Sequence, residues 1–198
     1  MKKFLVGLFL AVVMVAPAFA IAELDIKAGY IVEPTVTETQ PGEIKCTYSQ
    51  DPSYSIGADL YIYLTDRIAI GAGINHVFDS EFTGNDWHAW ADDVKAGSTN
   101  IFAAVKPVLA ENGFVDKVYL LGQLGMGITK FSSDVDDYNF SENGLYWGAG
   151  LGIEKLNIIV ELMYSVNYWE HAEGSEWNEG WSYTTRRIAV NVGYRFGF

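Results

Sequence analysis

Three histidines, His76, His88 and His171, are the side chains of this 198-residue sequence best suited to acid–base chemistry. His76 opens the run His76-Val-Phe-Asp79-Ser80, which places an imidazole, a carboxylate and a hydroxyl close together in the sequence. Nucleophilic catalysis needs such a base within hydrogen-bond reach of a nucleophile. In an extended segment, however, successive side chains point to opposite faces, so His76 and Asp79 would lie on opposite sides of a sheet. The sequence therefore predicts that the protein is not an enzyme.

Acidic side chains cluster at Asp134, Asp136 and Asp137, and clustered oxygens are the ligands that Ca²⁺ prefers. The spacing matches only the start of an EF-hand loop, because the glycine and the bidentate glutamate that should follow are absent. We interpret the cluster as a solvated acidic turn and predict neither a metal site nor a cofactor. Cys46 is the only cysteine of the sequence, so no internal disulfide can form.

The charge balance and the first residues indicate where the protein works. With 13 basic and 25 acidic residues, the net charge of −12 gives no electrostatic basis for binding nucleic acid. A positive start at Lys2 and Lys3, an apolar run over 4–15 and a small-x-small site at 18–20 predict a secretory signal peptide over residues 1–20. Ile21, not cysteine, follows that site, which argues against a lipid anchor. Residues 21–198 are then expected to form one domain.

A two-residue alternation of apolar and polar side chains predicts the elements that must position any functional groups. Most of the runs are close to the roughly 9–11 residues that a tilted strand needs to cross a membrane, and long connections alternate with short ones. The pattern predicts an all-β fold, an eight-stranded antiparallel transmembrane up-and-down barrel with apolar side chains facing lipid. A soluble barrel is the disfavoured alternative, because the other face is too polar for a dry core. The eight predicted strands cover residues 23–33, 53–64, 67–78, 99–109, 117–130, 145–153, 158–169 and 188–198.

The polar face of these strands is predicted to fill the lumen, which in an eight-stranded barrel is only wide enough for side chains. Opposite charges confined there should pair, because an isolated buried charge is costly. We expect Glu161 and Asp59 to meet Arg195 and Lys106, forming a plug. The predicted charge network comprises Asp25, Lys27, Asp59, Lys106, Glu161, Arg187 and Arg195, among the neutral polar residues Tyr61, Asn75, Gln123, Asn167 and Asn191.

The signal peptide, the eight strands and the ending VNVGYRFGF resemble the small outer-membrane barrels of Gram-negative bacteria. That group includes outer membrane protein X, outer membrane protein W, the opacity proteins and the barrel of outer membrane protein A. The resemblance implies a place in the bacterial outer membrane, surrounded by lipid and lipopolysaccharide. It also implies that Val192, Tyr194, Phe196 and Phe198 act as the signal read by the barrel-assembly machinery.

Some barrels of this kind modify lipid A, and the histidine, aspartate and serine of the His76 run superficially resemble the set of the lipid A palmitoyltransferase. The amphipathic helix that precedes the barrel of that enzyme has no counterpart here, because the first strand follows the predicted signal peptide directly. A lipid A-modifying enzyme is therefore the least favoured of the functions weighed.

Acidic, aromatic segments occupy the long connections between the predicted strands. Exposed aromatic rings often anchor interfaces, so these residues are candidates for contacting a host, a surface ligand or lipopolysaccharide sugars. The rings could instead lie at the outer boundary of the membrane. We predict a structural or adhesin-like role, with a narrow channel for passive permeation of small or hydrophobic solutes as the alternative. The candidate loop residues are Trp87, Trp90, Tyr138, Trp177 and Trp181.

Overall fold

A computed structural model describes residues 22–40, 42, 44–83, 94–111, 113–133, 140–170 and 181–198. None of these segments forms a helix long and apolar enough to span a bilayer. The described chain is a single sheet of strands. They are β1 (Ala22–Gln40), β2 (Ile44–Gln50), β3 (Ser53–Thr65), β4 (Ile68–Thr83), β5 (Val94–Ala110), β6 (Lys117–Ser133), β7 (Phe140–Lys155), β8 (Ile158–Glu170) and β9 (Ser182–Gly197).

The sheet closes on itself, which confirms the predicted barrel. Each long strand pairs antiparallel with its neighbour in sequence, from β3 to β9, while β1 pairs with both β3 and β9. The short β2 pairs with the end of β1 and touches β4, so it continues the position of β3. Asp51 and Pro52 separate β2 from β3, since proline has no amide hydrogen for the ladder. Eight strand positions therefore surround the lumen.

The strands are longer than predicted at the end where the long connections lie. Residues 34–52 were expected to form a connection, but β1 runs on through Thr35, Thr37 and Thr39 and pairs with β2. A register shift between Val32 and Thr35 explains the error. The extra residue of a bulge moves the inward side chains from odd to even positions. A pattern that keeps the inward residues at odd positions therefore stops at the bulge.

Apolar side chains cover the outside of the barrel, as predicted. Leu124 is 61% exposed, Leu162 55% and Val192 52%, although each lies in the middle of a strand pair. Large apolar residues are normally buried in a water-soluble protein, so a continuous exposed belt of this kind indicates a lipid-facing surface.

Short turns connect the strands at the end that carries both termini of the barrel. Leu156 and Asn157 form the β7–β8 turn with positive φ angles of 52° and 66°, and paired positive φ angles match the twist of a tight hairpin. The backbone amide of Leu156 donates to the Asp116 carboxylate at 2.7 Å, and this bond lowers the pKa of Asp116. In an even-stranded outer-membrane barrel this end faces the periplasm, and the long connections face outward.

Candidate functional site

The lumen holds an ionic layer at its periplasmic end, centred on Arg195. Its guanidinium donates two hydrogen bonds of 2.7 Å to Asp25 and also contacts Glu154 and, at 3.1 Å, Glu23. The strand register explains the main pair, because Arg195 of β9 stands directly opposite Asp25 of β1. Arg195 is only 2% exposed, so these contacts lie in a place that water hardly reaches.

Two lysines complete this layer. Lys106 Nζ donates to Glu23 at 2.8 Å and lies 3.9 Å from the centre of the Tyr61 ring, a cation–π contact. Lys117 donates to the other oxygen of Glu23, also at 2.8 Å. Three residues of this layer were not predicted, because they lie at or next to the ends of the predicted strands: Glu23, Lys117 and Glu154. The same two-residue alternation, continued by one step, would have placed all three in the lumen.

A second ionic group lies nearer the middle of the barrel. Lys27 donates to Asp59 at 2.5 Å and to Glu161 at 2.9 Å. The hydroxyl of Tyr61 donates to Asp59, and that of Tyr119 donates to Glu161, both at 3.1 Å. All five side chains are buried, so two carboxylates share one ammonium in an enclosed space.

The predicted pairing of Glu161 and Asp59 with Arg195 and Lys106 is therefore wrong. The four residues face the lumen as expected, but Lys27 takes both carboxylates. Alternation along a strand gives the face of a side chain and not its height in the barrel. Height depends on the register between strands, which the sequence analysis did not predict.

Large rings fill the remaining space by lying over glycines. A Cβ at Gly152 would stand 2.3 Å from the Tyr119 ring, and one at Gly73 would stand 2.7 Å from Phe102. The glycines thus make room for the aromatic side chains that separate the ionic groups.

Gly152→Ala is expected to lower the free energy of unfolding by about 1–3 kcal/mol, because the new methyl group overpacks the site under Tyr119. Urea titration of the protein in detergent micelles would measure the change. Gly197→Ala is the matched control, since a Cβ there meets no atom within 4 Å. Equal effects of the two substitutions would contradict the packing argument.

Arg187 also lies in the lumen but is not part of a charge pair among the described residues. It is 3% exposed and donates to the amide oxygen of Asn167 at 2.9 Å. Asn167 in turn donates to Asn100 at 2.7 Å. The expectation that Arg187 belongs to the network of opposite charges is thus corrected, because the side chains that meet it are amides.

Aromatic residues close the outward end of the lumen. Trp169 stacks on Tyr183 with ring centres 5.5 Å apart, and Phe131 packs against Trp169 at 5.7 Å. Phe82 stacks on Phe131, and Val94 belongs to the same buried cluster. The described residues therefore fill the lumen with ionic groups at one end and apolar rings at the other.

The remaining predicted site residues lie elsewhere. Trp87, Trp90, Tyr138 and Trp177 fall outside the described residues, as do the acidic residues 134, 136 and 137, and Trp181 is half-buried. At the end of β9 and in the residue after it, the side chains of the proposed assembly signal are exposed on the outside of the barrel. These are Val192, Tyr194, Phe196 and Phe198.

The His76 run does not assemble a base and a nucleophile. His76 Nδ1 is 3.0 Å from Thr99 Oγ1 on the outer surface, whereas Ser80 is buried on the other face. Asp79 was expected opposite His76, but a register shift between Val77 and Ser80 leaves it exposed. Asp79 and His76 line one outer groove of about 360 Å³ without Ser80.

Comparison with known proteins agrees with this architecture. Residues 6–196 match the outer membrane protein beta-barrel domain model. The crystal structure of Ail, the attachment invasion locus protein of Yersinia pestis, aligns with a TM-score of 0.50 at 18% identity, covering 88% of this chain and 99% of Ail. Neisserial surface protein A aligns with a TM-score of 0.51 at 14% identity, covering 87% of this chain and 97% of that protein. No curated protein sequence matches this chain.

Proposed function

From the premise that this chain belongs to the outer membrane protein beta-barrel family, we propose that it is a closed, non-enzymatic barrel that carries interaction loops at the cell surface. Family membership and fold locate it in the bacterial outer membrane. The proposal concerns what the barrel does there. It includes the barrel-assembly machinery as the partner that reads Val192, Tyr194, Phe196 and Phe198 during insertion.

The filled lumen is the observation that carries the proposal. Three buried groups follow one another along the barrel: the contacts of Arg195, those of Lys27, and the aromatic cluster around Trp169. Each group joins side chains of several strands. An aqueous pore would need a continuous gap between them, and eight-stranded barrels are at the size where side chains fill the interior. This packing argues against the narrow-channel alternative.

Strand length supports a display role. β1 has 19 residues and β5 and β6 have 17 each, well above the roughly 9–11 that cross the hydrocarbon. The excess lies at the outward end, where it forms a wall of paired strands above the membrane. Such a wall holds the long connections away from the lipid on a rigid base, which is the arrangement in which loops commonly bind partners.

The wall itself is polar on its outer side. Arg186 of β9 donates to Thr37 of β1 at 2.9 Å, and Lys95 of β5 pairs with Glu81 of β4 at 3.2 Å. These exposed contacts suit a surface in water and differ from the apolar belt below. We propose that the acidic, aromatic connections above this wall contact host surfaces, a surface ligand or lipopolysaccharide sugars.

Planar bilayers and cell adhesion together test this function. The purified protein is expected to give no steady single-channel openings, since the described lumen is filled. Bacteria that produce it are expected to adhere to a cultured epithelial layer more than bacteria without it. Combined Trp87→Ala, Trp90→Ala and Trp177→Ala substitutions should remove most of that gain.

The matched control is Phe114→Ala, which removes an 87% exposed ring from a periplasmic turn and should leave adhesion unchanged. Steady openings of the wild-type protein would contradict the closed lumen. Adhesion that does not depend on the three tryptophans would contradict the loop hypothesis, provided that equal amounts of each variant reach the surface.

A further inference from the structure

Within the described segments, Arg187 is the lumenal cation that forms no ion pair with a carboxylate. Lys27, Lys106, Lys117 and Arg195 each contact at least one carboxylate, but no ion pair of Arg187 is found within the part of the chain that the structure describes. Its hydrogen bond in that part of the chain goes to the amide oxygen of Asn167. A buried guanidinium has five N–H donors and cannot lose its proton, so an uncompensated one is costly.

The two carboxylates of the middle group, those of Asp59 and Glu161, pair with Lys27 and form no ion pair with Arg187. Arg187 stands opposite Ser165 in the β8–β9 register, and Glu161 lies four residues further down β8. Four residues of a strand span about 13 Å. Lys27 already holds Glu161 together with Asp59 at that lower height.

The hydrogen bonds that begin at Arg187 fix the direction of the neighbouring amides. Since arginine can only donate, Asn167 must present its oxygen to Arg187 and its nitrogen to Asn100. The oxygen of Asn100 is then occupied, and its amide nitrogen is left as a donor. The chain of amides that begins at Arg187 therefore ends in an N–H donor, the amide nitrogen of Asn100.

A small cavity lies against these groups inside the barrel. Its free volume is about 30 Å³, enough for one small ion or one or two water molecules. It is lined by Arg187, Asn100, Asn191 and Ser55 and by Gln123, whose oxygen accepts from Tyr146 at 2.6 Å. Lys27 and Asp59 line it as well. The side of the cavity near Arg187 is therefore rich in N–H and O–H donors, while the carboxylate of Asp59 in the same wall is held by Lys27 at 2.5 Å.

We infer that this cavity binds a small monovalent anion of the chloride class. The anion would neutralise Arg187 and accept hydrogen bonds from the Asn100 and Gln123 amides. Gluconate, with its chain of six carbon atoms, is too large for this cavity. The cavity wall also contains one buried acceptor without a partner, Asn75 Oδ1. An accompanying water molecule would donate a hydrogen bond to it.

Calorimetric unfolding of the purified protein in detergent micelles tests the inference. Sodium chloride should raise the unfolding temperature above that in sodium gluconate of equal ionic strength, by about 3–11 °C when the chloride concentration is ten to a hundred times Kd. Bromide should substitute for chloride. Arg187→Gln should abolish the difference, while the matched control Arg186→Gln, on the outer wall, should keep it.

Asn100→Asp keeps the test valid if Arg187→Gln does not fold. The new carboxylate still accepts from Asn167 and places a negative charge at the cavity wall, so the folded variant should no longer respond to chloride. Equal unfolding temperatures of the wild-type protein in both salts would overturn the inference, leaving water as the content of the cavity. A chloride effect that persists in Asn100→Asp or Arg187→Gln would overturn it as well.

Discussion

Arg195→Met is expected to lower the free energy of unfolding by about 3–5 kcal/mol, the usual cost of removing one partner of a buried ion pair. The guanidinium is 2% exposed and contacts Asp25, Glu23 and Glu154, so its loss leaves neighbouring carboxylates short of a counter-charge. Methionine keeps much of the apolar volume, so the effect reports charge and hydrogen bonds more than packing. Urea unfolding in detergent micelles, followed by tryptophan fluorescence, would measure it.

Two further variants separate this charge effect from a general loss of stability. Arg186→Met removes an exposed arginine at the outward end of the same strand, whose hydrogen bond within the described residues goes to the hydroxyl of Thr37, and should cost less than about 1 kcal/mol. Combining Arg195→Met with Asp25→Asn should recover part of the loss, because the carboxylate opposite Arg195 is neutralised. A small effect of Arg195→Met, or no recovery in the double variant, would show that Lys106 and Lys117 suffice for the acidic groups.

The sequence predicts the faces of the strands well because a strand has only two. Asp25, Lys27 and Glu161 were assigned to the lumen, and all three are buried there. The same alternation gives the lipid-facing belt, since each outward residue stands between two inward ones. Closure into a barrel follows from the number of amphipathic strands and from the alternation of long and short connections.

The two-residue alternation carries no information about the register between strands or about the positions of bulges. The partner of Lys27 depends on how far β1 and β8 are displaced along each other, and that displacement comes from the packing of all the strands together. Bulges near Val32 and Val77 shift the alternation of inward and outward side chains by one residue. For this reason the second half of β1 was not predicted, and Asp79 lies on the outer face and not in the lumen. Such shifts are set by local twist and by contacts with neighbouring strands.

Neutral polar residues were the least predictable part of the site. Asn167 and Asn100 were assigned to the lumen as filling, but their importance comes from the hydrogen bonds that begin at Arg187. A side-chain amide can donate or accept a hydrogen bond, so its role is known only when the neighbouring donor or acceptor is known. The candidate anion site therefore emerges from three-dimensional contacts and has no motif in the sequence.

Leu162→Arg is expected to destabilise the inserted barrel by about 2–4 kcal/mol, the cost of an arginine on the lipid face near the membrane midplane. Leu162 is 55% exposed and stands opposite Leu151 and Val190, in the middle of the apolar belt. Aromatic pairs flank it towards both ends, Trp147 with Tyr164 and Tyr194 with Phe196. Reversible urea unfolding from lipid bilayers would give the free energy.

The matched control for this substitution is Phe114→Arg, in the turn between β5 and β6. Phe114 is 87% exposed, more than Leu162, so a protein surrounded by water on all sides would tolerate both arginines about equally. In a bilayer only position 162 faces hydrocarbon, and Phe114→Arg should change the free energy by less than about 1 kcal/mol, as expected near the interface. Equal tolerance of the two arginines in bilayers would mean that the exposed apolar belt does not face lipid, and the assignment of the inner and outer surfaces would then fail.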